Sequence, residues 1–141
     1  MASKTPKPRI LVVDDSKVMR RAMGKILGKE YDVVEAEHGE DAWTLLLNDN
    51  SIQVVFTDLG MPYLDGYGLL GRIRQADDIN LKELPVIIIT GQEDDEKAQQ
   101  DALNAGATDF ISKPFESVQL MARASAHVRF EQTARKLNET S

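Results

Sequence analysis

The chain has 141 residues, a net charge of −6 and no cysteine, with 42% apolar and 28% charged residues. This length suits a single domain. The lack of cysteine excludes a disulfide framework and thiol chemistry and fits a cytoplasmic protein. The acidic balance argues against a nucleic-acid-binding surface and is suited to a site for a metal cation. Because no apolar run approaches the roughly 20 residues that span a bilayer, no membrane insertion is expected.

Five short apolar runs, each stopped by charged or turn residues, predict β-strands at 9–13, 31–36, 52–57, 86–89 and 109–111. Before them, residues 1–8 contain two prolines and two lysines and are predicted to form a disordered lead. Helical spacing predicts five helices: one capped by Asp15 or Ser16 and ended by Gly28, one at 40–48, one after Gly66, one at 94–105 and one at 116–137. A polar loop is expected between the third helix and Leu84.

Strands that alternate with helices favour parallel pairing with right-handed crossovers. The sequence therefore predicts an α/β fold with a doubly wound five-stranded sheet of order 2-1-3-4-5 in a three-layer sandwich. We expect one domain at 9–130, followed at 131–141 by an extension of the last helix or a linker.

The predicted helices differ in the apolar surface that they offer to the sheet. The first should bury Met19, Ala22, Met23, Ile26 and Leu27. The helix at 94–105 offers mostly alanine and should be weakly anchored; its inward residues are predicted to be Ala98, Ala102, Leu103 and Ala105. An apolar-leaning stripe on the last helix comprises Leu120, Ala124, His127, Phe130, Ala134 and Leu137. Two alternatives remain for its end: fraying after Phe130, or a linker or dimerisation helix.

Polar residues follow the predicted strands at one edge of the sheet. Asp14 and Asp15 follow the first strand, Asp58 the third, Thr90 the fourth and Lys113 the fifth. In the order 2-1-3-4-5 the first and third strands are neighbours, so the three carboxylates should converge. Such clusters usually hold a hard cation, and Mg²⁺ fits best because it takes few carboxylates and keeps its remaining positions for water and phosphate oxygens. Asp58 could then act as a nucleophile towards phosphorus, with Lys113 and Thr90 contacting the phosphoryl oxygens.

Each of these residues also has an ordinary structural interpretation. Asp14 and Asp15 could cap a helix, Asp58 could begin a turn, Thr90 could simply end a strand, and Lys113 could be solvated. What favours a functional site is their occurrence together at one edge of a sheet.

The sequence resembles the receiver domains of two-component response regulators, in particular the single-domain chemotaxis type. The resemblance covers about residues 9–130. It rests on the pair Asp14-Asp15, the run Asp58-Leu59-Gly60-Met61-Pro62 with Asp65-Gly66, on Thr90, and on Lys113-Pro114-Phe115. It implies a flavodoxin-like fold and a phosphorylation-activated signalling protein, not an enzyme.

The resemblance also implies roles for single residues. Asp58 would accept a phosphoryl group from a histidine kinase or histidine phosphotransfer protein, and Thr90 and Lys113 would contact that group. Asp14, Asp15, Asp58 and the carbonyl of Gly60 would hold Mg²⁺. Phe110 would be the switch aromatic, and the Lys113–Pro114 bond would be cis. The donor would dock on Lys17, Val18 and Arg21, and the face made by the helix after Thr90, the fifth strand and the last helix would bind a target or output domain.

The sequence departs from the family pattern in two respects. Gly60 and Gln92 occupy variable positions, two residues beyond Asp58 and Thr90, so the lifetime of the phosphorylated state does not follow from the resemblance. The segment from Thr90 to Gly106 is also one residue longer than in the chemotaxis type.

Other functional classes fit less well. An aspartyl-phosphate phosphatase of the haloacid dehalogenase type would carry Asp-x-Asp after the first strand, where this chain has Asp14-Asp15-Ser16. A dinucleotide-binding domain would carry a glycine-rich phosphate loop, which is absent from the sequence. A receiver used only for protein contacts would not need the intact acceptor site. The chain could also be the receiver portion of a longer regulator.

Overall fold

The structure is a computed structural model that describes residues 7–59, 64–91 and 96–140, with side chains as far as Leu137. Its centre is a five-stranded parallel sheet of order β2-β1-β3-β4-β5, which confirms the predicted topology. The strands are β1 (Arg9–Val13), β2 (Asp32–Ala36), β3 (Ile52–Asp58), β4 (Val86–Thr90) and β5 (Asp109–Ser112).

Six helical segments lie in the described part of the chain. They are α1 (Lys17–Leu27), α2 (Gly39–Asn48), α3 (Gly66–Arg74), α4 (Ile79–Lys82), α5 (Glu96–Asn104) and α6 (Ser117–Thr140). The one-turn helix α4 replaces the polar loop that the sequence predicted before β4. It forms because the Asp78 carboxylate accepts a hydrogen bond from the Asn80 amide at 2.9 Å, and Leu81 packs against the core. The predicted start of the helix after Thr90, at Asp94, lies outside the described residues.

The helices cover both faces of the sheet. Strand residues alternate between a cluster under α2, α3 and α5 and a cluster under α1 and α6. In β3, Val55 faces the first cluster, and Val54 and Phe56 face the second. Ile52 joins Val55 on the first face because the register of β1 against β3 shifts next to it. The sheet is therefore buried on both sides, as an all-parallel sheet requires.

Two buried faces differ from the sequence prediction. On α1, Arg20 is buried with Met23 and Leu27, whereas Ala22 is exposed. On α5, Ala102 is the buried residue, and Leu103 and Ala105 are exposed. The helix after β4 therefore buries even less apolar surface than its sequence predicted.

The apolar stripe predicted on α6 is also wrong in part. Leu120 and Ala124 are buried as predicted, but the buried face continues through Val128 and Glu131. Phe130 and Leu137 are 71% and 64% exposed, because they lie on another side of the helix. His127 has a structural contact: its Nε2 lies 3.1 Å from Oδ2 of Asp109 on β5.

Arg135 attaches the later part of α6 to the start of β3 and to the turn before it. Its guanidinium donates hydrogen bonds to the carbonyl oxygens of Asn50 and Ile52, at 2.8 and 2.7 Å. Its Nε donates to Glu131 at 2.7 Å. Burial raises the pKa of the Glu131 carboxyl, and Arg135 opposes that rise. The helix therefore continues beyond Phe130 and is held there by a partly buried ion pair.

No helix in the described ranges is both long enough and apolar enough to cross a membrane.

We predict that Arg135→Met lowers the free energy of unfolding by about 2–3 kcal/mol at pH 8, because it removes two carbonyl contacts and leaves the Glu131 charge unpaired. The raised pKa of Glu131 sets the pH dependence. Above the folded-state pKa of Glu131, its carboxylate is ionised, and burying this charge lowers the stability of the protein. Protonation removes this penalty as the pH falls through that pKa. The loss should therefore be smaller at pH 5 than at pH 8.

Urea unfolding at the two pH values measures both quantities. Lys136→Met is the matched control, since Lys136 is an exposed cation on the same helix, and it should change stability by less than about 0.5 kcal/mol. Equal losses for Arg135→Met at both pH values would contradict the role assigned to Glu131.

Candidate functional site

Three carboxylates meet where β1 and β3 end. Asp58 is the last residue of β3, and Asp14 and Asp15 directly follow β1, the strand next to it. One carboxylate oxygen from each residue lies within 4.8 Å of the others. The structure thus brings together the acidic residues that the sequence placed at this edge.

Gly66 helps to fix the end of β3. Its amide donates a hydrogen bond to the carbonyl oxygen of Leu59 at 2.9 Å. A Cβ atom on Gly66 would lie 2.5 Å from the carbonyl oxygen of Asp58, so only glycine lets α3 begin this close to the strand. Asp65 caps the helix by accepting a hydrogen bond from the Gly68 amide at 2.8 Å.

The carboxylates are crowded and partly removed from water. Asp14 is 1% exposed. Burial raises the pKa of its carboxyl, while the Ser16 amide and Lys113 oppose the rise. Burial also raises the pKa of Asp58; Lys113 opposes this, and the nearby Asp14 charge adds to it. The negative charge of the cluster is therefore only partly compensated by the protein.

Lys113 supplies the nearby positive charge. Its Nζ lies 3.8 Å from Oδ2 of Asp14 and 3.8 Å from Oδ1 of Asp58. The lysine follows β5, and its bond to Pro114 is cis, as the resemblance implied. At these distances Lys113 attracts both carboxylates and can also reach a negative group bound between them.

The donor set fits a hard cation such as Mg²⁺. Asp14 Oδ1 accepts a hydrogen bond from the Ser16 amide at 2.8 Å. Its other oxygen, Oδ2, is buried and accepts no hydrogen bond from the described residues. A buried carboxylate oxygen with no donor, next to two further carboxylates, is suited to a metal ligand. Gly60, the fourth ligand that the resemblance implies, lies outside the described residues.

Thr90 ends β4, the strand next to β3, and Phe110 lies on β5, the edge strand. Thr90 is fully buried, and its hydroxyl donates to Oγ of Ser112 at 3.2 Å, with the carbonyl oxygen of Ile111 at 3.4 Å. Phe110 is half-buried and packs against the core cluster under α2, α3 and α5. Gln92, the second variable position, is outside the described part of the chain.

Arg20 is a supporting residue that the sequence reasoning missed. Its Nη1 donates a hydrogen bond to the carbonyl oxygen of Asp14 at 2.7 Å. Its guanidinium also lies 3.3 Å from Glu35 and 3.8 Å from Glu37. The signal was present, because Arg20, Met23 and Leu27 share one helical face. Arg20 therefore fixes the backbone from which the Asp14 side chain projects.

The residues predicted to bind a phosphoryl donor are exposed near the start of α1. Lys17, Val18 and Arg21 all face solvent, and Val18 is 82% exposed. They follow Asp14 and Asp15 within one to two helical turns, so a partner that covered them would lie next to the acidic cluster.

The chain matches the family model described as "Response regulator receiver domain" over residues 10–125. Chemotaxis protein CheY1 of Helicobacter pylori is 40% identical over 109 residues, which cover 76% of this chain and 86% of that protein. A solved structure of a putative response regulator from Chloroflexus aurantiacus has a TM-score of 0.80 and 32% identity, covering 89% of this chain and 99% of that one. NtrX from Brucella abortus, solved in complex with ADP, has a TM-score of 0.83 and 29% identity, covering 96% of this chain and 30% of that longer one.

These similarities extend over most of the chain and agree with the sheet order and with the acidic edge. They favour phosphorylation-activated two-component signalling over the phosphatase and dinucleotide-binding alternatives. Receiver domains are signalling modules and, as a class, not enzymes. The chain belongs to the response regulator receiver domain family.

Proposed function

We propose that Asp58 is the phosphoryl acceptor, in an Mg²⁺-dependent transfer from a histidine kinase or a histidine phosphotransfer protein. The observation that carries this proposal is the position of Asp58 at the end of β3, beside two further carboxylates and with Lys113 Nζ 3.8 Å from its carboxylate. A carboxylate in such a site can act as a nucleophile.

In the transfer, an oxygen of the Asp58 carboxylate attacks the phosphorus of a phosphohistidine. The new O–P bond forms as the P–N bond breaks, and the imidazole nitrogen keeps the electron pair of the broken bond. Lys113 contributes positive charge beside the transferred group, and the Thr90 hydroxyl donates a hydrogen bond to one of its oxygens. The product is an aspartyl phosphate.

Asp14, Asp15 and Asp58 would hold Mg²⁺, together with the backbone carbonyl of Gly60. The ion would supply positive charge to the carboxylate cluster and to the phosphoryl oxygens. The Asp14 oxygen that has no hydrogen-bond donor among the described residues supports this assignment.

The output of the switch would be the face made by α5, β5 and α6. When Thr90 turns to the phosphoryl group, it leaves space into which the Phe110 ring can move. Because α5 buries little beyond Ala102, a small difference in contacts can shift its position. The changed face would bind a separate target protein, a second copy of the chain, or an output domain on a longer chain.

Three further expectations from the sequence belong to this proposal. The receiver occupies 9–130 and is followed by a helical extension or linker at 131–141. The lead at 1–8 lies outside the domain, and the protein acts in the cytoplasm.

The phosphoryl donor would dock on Lys17, Val18 and Arg21 of α1, where a small apolar contact with a charged rim suits a transient encounter.

We predict that acetyl phosphate with Mg²⁺ adds one phosphoryl group to the protein and that Asp58→Asn abolishes this addition. Intact-mass measurement checks it, with and without EDTA. Asp77→Asn, which neutralises an exposed carboxylate away from the cluster, is the control and should be labelled like the wild type. Equal labelling of Asp58→Asn and wild type would contradict the assignment of the acceptor.

We also predict that Asp58→Asn stabilises the metal-free protein by about 1–2 kcal/mol, because burial and the Asp14 charge both penalise the ionised carboxyl, as the raised pKa of Asp58 indicates. Added Mg²⁺ should stabilise the wild type, by about 2.7 kcal/mol at one hundred times its dissociation constant, and stabilise the variant much less. Urea unfolding with EDTA and with Mg²⁺ measures both effects. A metal-free variant less stable than the wild type would argue against charge crowding.

A third prediction tests the docking surface. Val18→Asp should slow phosphotransfer from the cognate kinase about ten-fold, because it places a charge in the small apolar contact. Labelling by acetyl phosphate should be unchanged, since Val18 is 82% exposed and is not one of the residues proposed to hold Mg²⁺ or the phosphoryl group. Leu47→Asp on α2, also at an exposed position, is the control and should leave both reactions unchanged. Kinase transfer to Val18→Asp at the wild-type rate would place the docking surface elsewhere.

A further inference from the structure

The hydroxyl of Thr90 is directed to β5. It donates to Oγ of Ser112 at 3.2 Å, and the carbonyl oxygen of Ile111 lies 3.4 Å from it. Thr90 and Ser112 are also register partners in the β4–β5 pair. A hydroxyl carries one hydrogen, so Thr90 can donate to a phosphoryl oxygen only by giving up its donation to β5.

Ser112 is bonded to α5 as well. Its Oγ accepts a hydrogen bond from Nε2 of Gln99 at 3.1 Å. One serine oxygen therefore accepts from two donors, one in the proposed phosphoryl site and one on the helix of the proposed output face. Thr90, Ser112 and Gln99 form a continuous polar connection from the site to α5.

Among the described residues, this connection joins α5 to the sheet next to little buried apolar surface. Ala102 is the buried residue of the helix, and an alanine contributes only one methyl group of apolar burial. On the other side, the Tyr67 hydroxyl donates to the carbonyl oxygen of Ala98 at 3.5 Å, a long hydrogen bond. The Gln99–Ser112 hydrogen bond is shorter, at 3.1 Å. Its contribution to stability is comparable to that of burying the Ala102 methyl group.

We propose that Ser112 and Gln99 are positioning residues that couple the orientation of the Thr90 hydroxyl to the attachment of α5. In the unphosphorylated protein Ser112 holds the Thr90 hydroxyl on β5. When Thr90 turns to the phosphoryl group, the Ser112 oxygen accepts from Gln99 alone, and α5 is held more firmly. This inference rests on the proposed function of Asp58 as acceptor.

The first test measures the affinity of the protein for beryllofluoride, a phosphoryl mimic, in the presence of Mg²⁺. Ser112→Ala should bind it about three-fold more tightly, because the Thr90 hydroxyl no longer gives up its shorter hydrogen bond. Ser112→Thr keeps a hydroxyl and should restore the wild-type affinity. In a Thr90→Val background, Ser112→Ala should have no effect on affinity, since the hydroxyl that Ser112 holds is gone.

The second test measures amide hydrogen exchange over residues 96–104. Without beryllofluoride, Ser112→Ala and Gln99→Met should each exchange about three-fold faster than the wild type, and the double variant no faster than either, because both remove the same bond. Gln100→Met is the matched control. Gln100 is exposed and its side-chain amide bonds Asn104 within the helix, so this variant keeps the Gln99–Ser112 bond and beryllofluoride should still slow its exchange. Beryllofluoride should slow exchange in the wild type and fail to do so in Gln99→Met.

The outcomes separate the two proposals. A wild-type protein that neither binds beryllofluoride nor takes phosphate from acetyl phosphate overturns the proposed function and this inference with it. Normal wild-type binding, with wild-type affinity and exchange in Ser112→Ala, overturns the inference alone. Additive effects of Ser112→Ala and Gln99→Met on exchange also overturn it. Ser112 is exposed and Gln99 half-buried, so the variants should fold, which urea unfolding verifies.

Discussion

The crowding of three carboxylates around one lysine is the constraint on which the rest of the structure depends. Asp14, Asp15 and Asp58 place oxygens within 4.8 Å of one another, and Lys113 is 3.8 Å from two of them. Repulsion and burial both disfavour this arrangement, as the raised pKa values of Asp14 and Asp58 indicate. A bound cation would relieve this repulsion. A carboxylate cluster that is unfavourable without a cation is therefore suited to binding one.

Contacts of the surrounding fold hold these carboxylates together. The carboxylates stand at the ends of β1 and β3, which lie at the middle of a sheet buried on both faces. The Arg20 guanidinium donates a hydrogen bond to the carbonyl oxygen of Asp14. It also donates one to the carboxylate of Glu35 on β2. The lack of a side chain at Gly66 lets α3 start against the backbone of Asp58. These contacts hold the backbone, and the side chains therefore cannot move far apart to relieve their repulsion.

Attachment to the sheet is distributed unevenly among the helices. α6 is buried along Leu120, Ala124 and Val128 and is tied to the start of β3 and to the turn before it by Arg135. Of the described residues of α5, Ala102 is buried, and Gln99 donates a hydrogen bond to Ser112. A helix held by a few weak contacts can change its position for a small free energy, whereas α6 provides a fixed reference beside it. This contrast places the mobile part of the proposed switch next to Thr90.

The sequence by itself determined the strand order, the edge of the sheet that carries the acidic residues, and the family. These follow from local patterns: apolar runs that stop at Asp14, Asp58 and Thr90, and alternation of strands with helices, which leaves few topologies. It did not determine which side of a helix faces the core where the pattern is weak. Phe130 and Leu137 were placed on one stripe with Leu120 and Ala124, but they face solvent on another side of the helix. Arg20 and Glu131 are buried, because a charged residue can be buried once a partner compensates it. The connection from Thr90 through Ser112 to Gln99 was likewise decided only by the tertiary structure, since hydrogen bonds between separate elements depend on how they pack and leave no periodic signal in the chain.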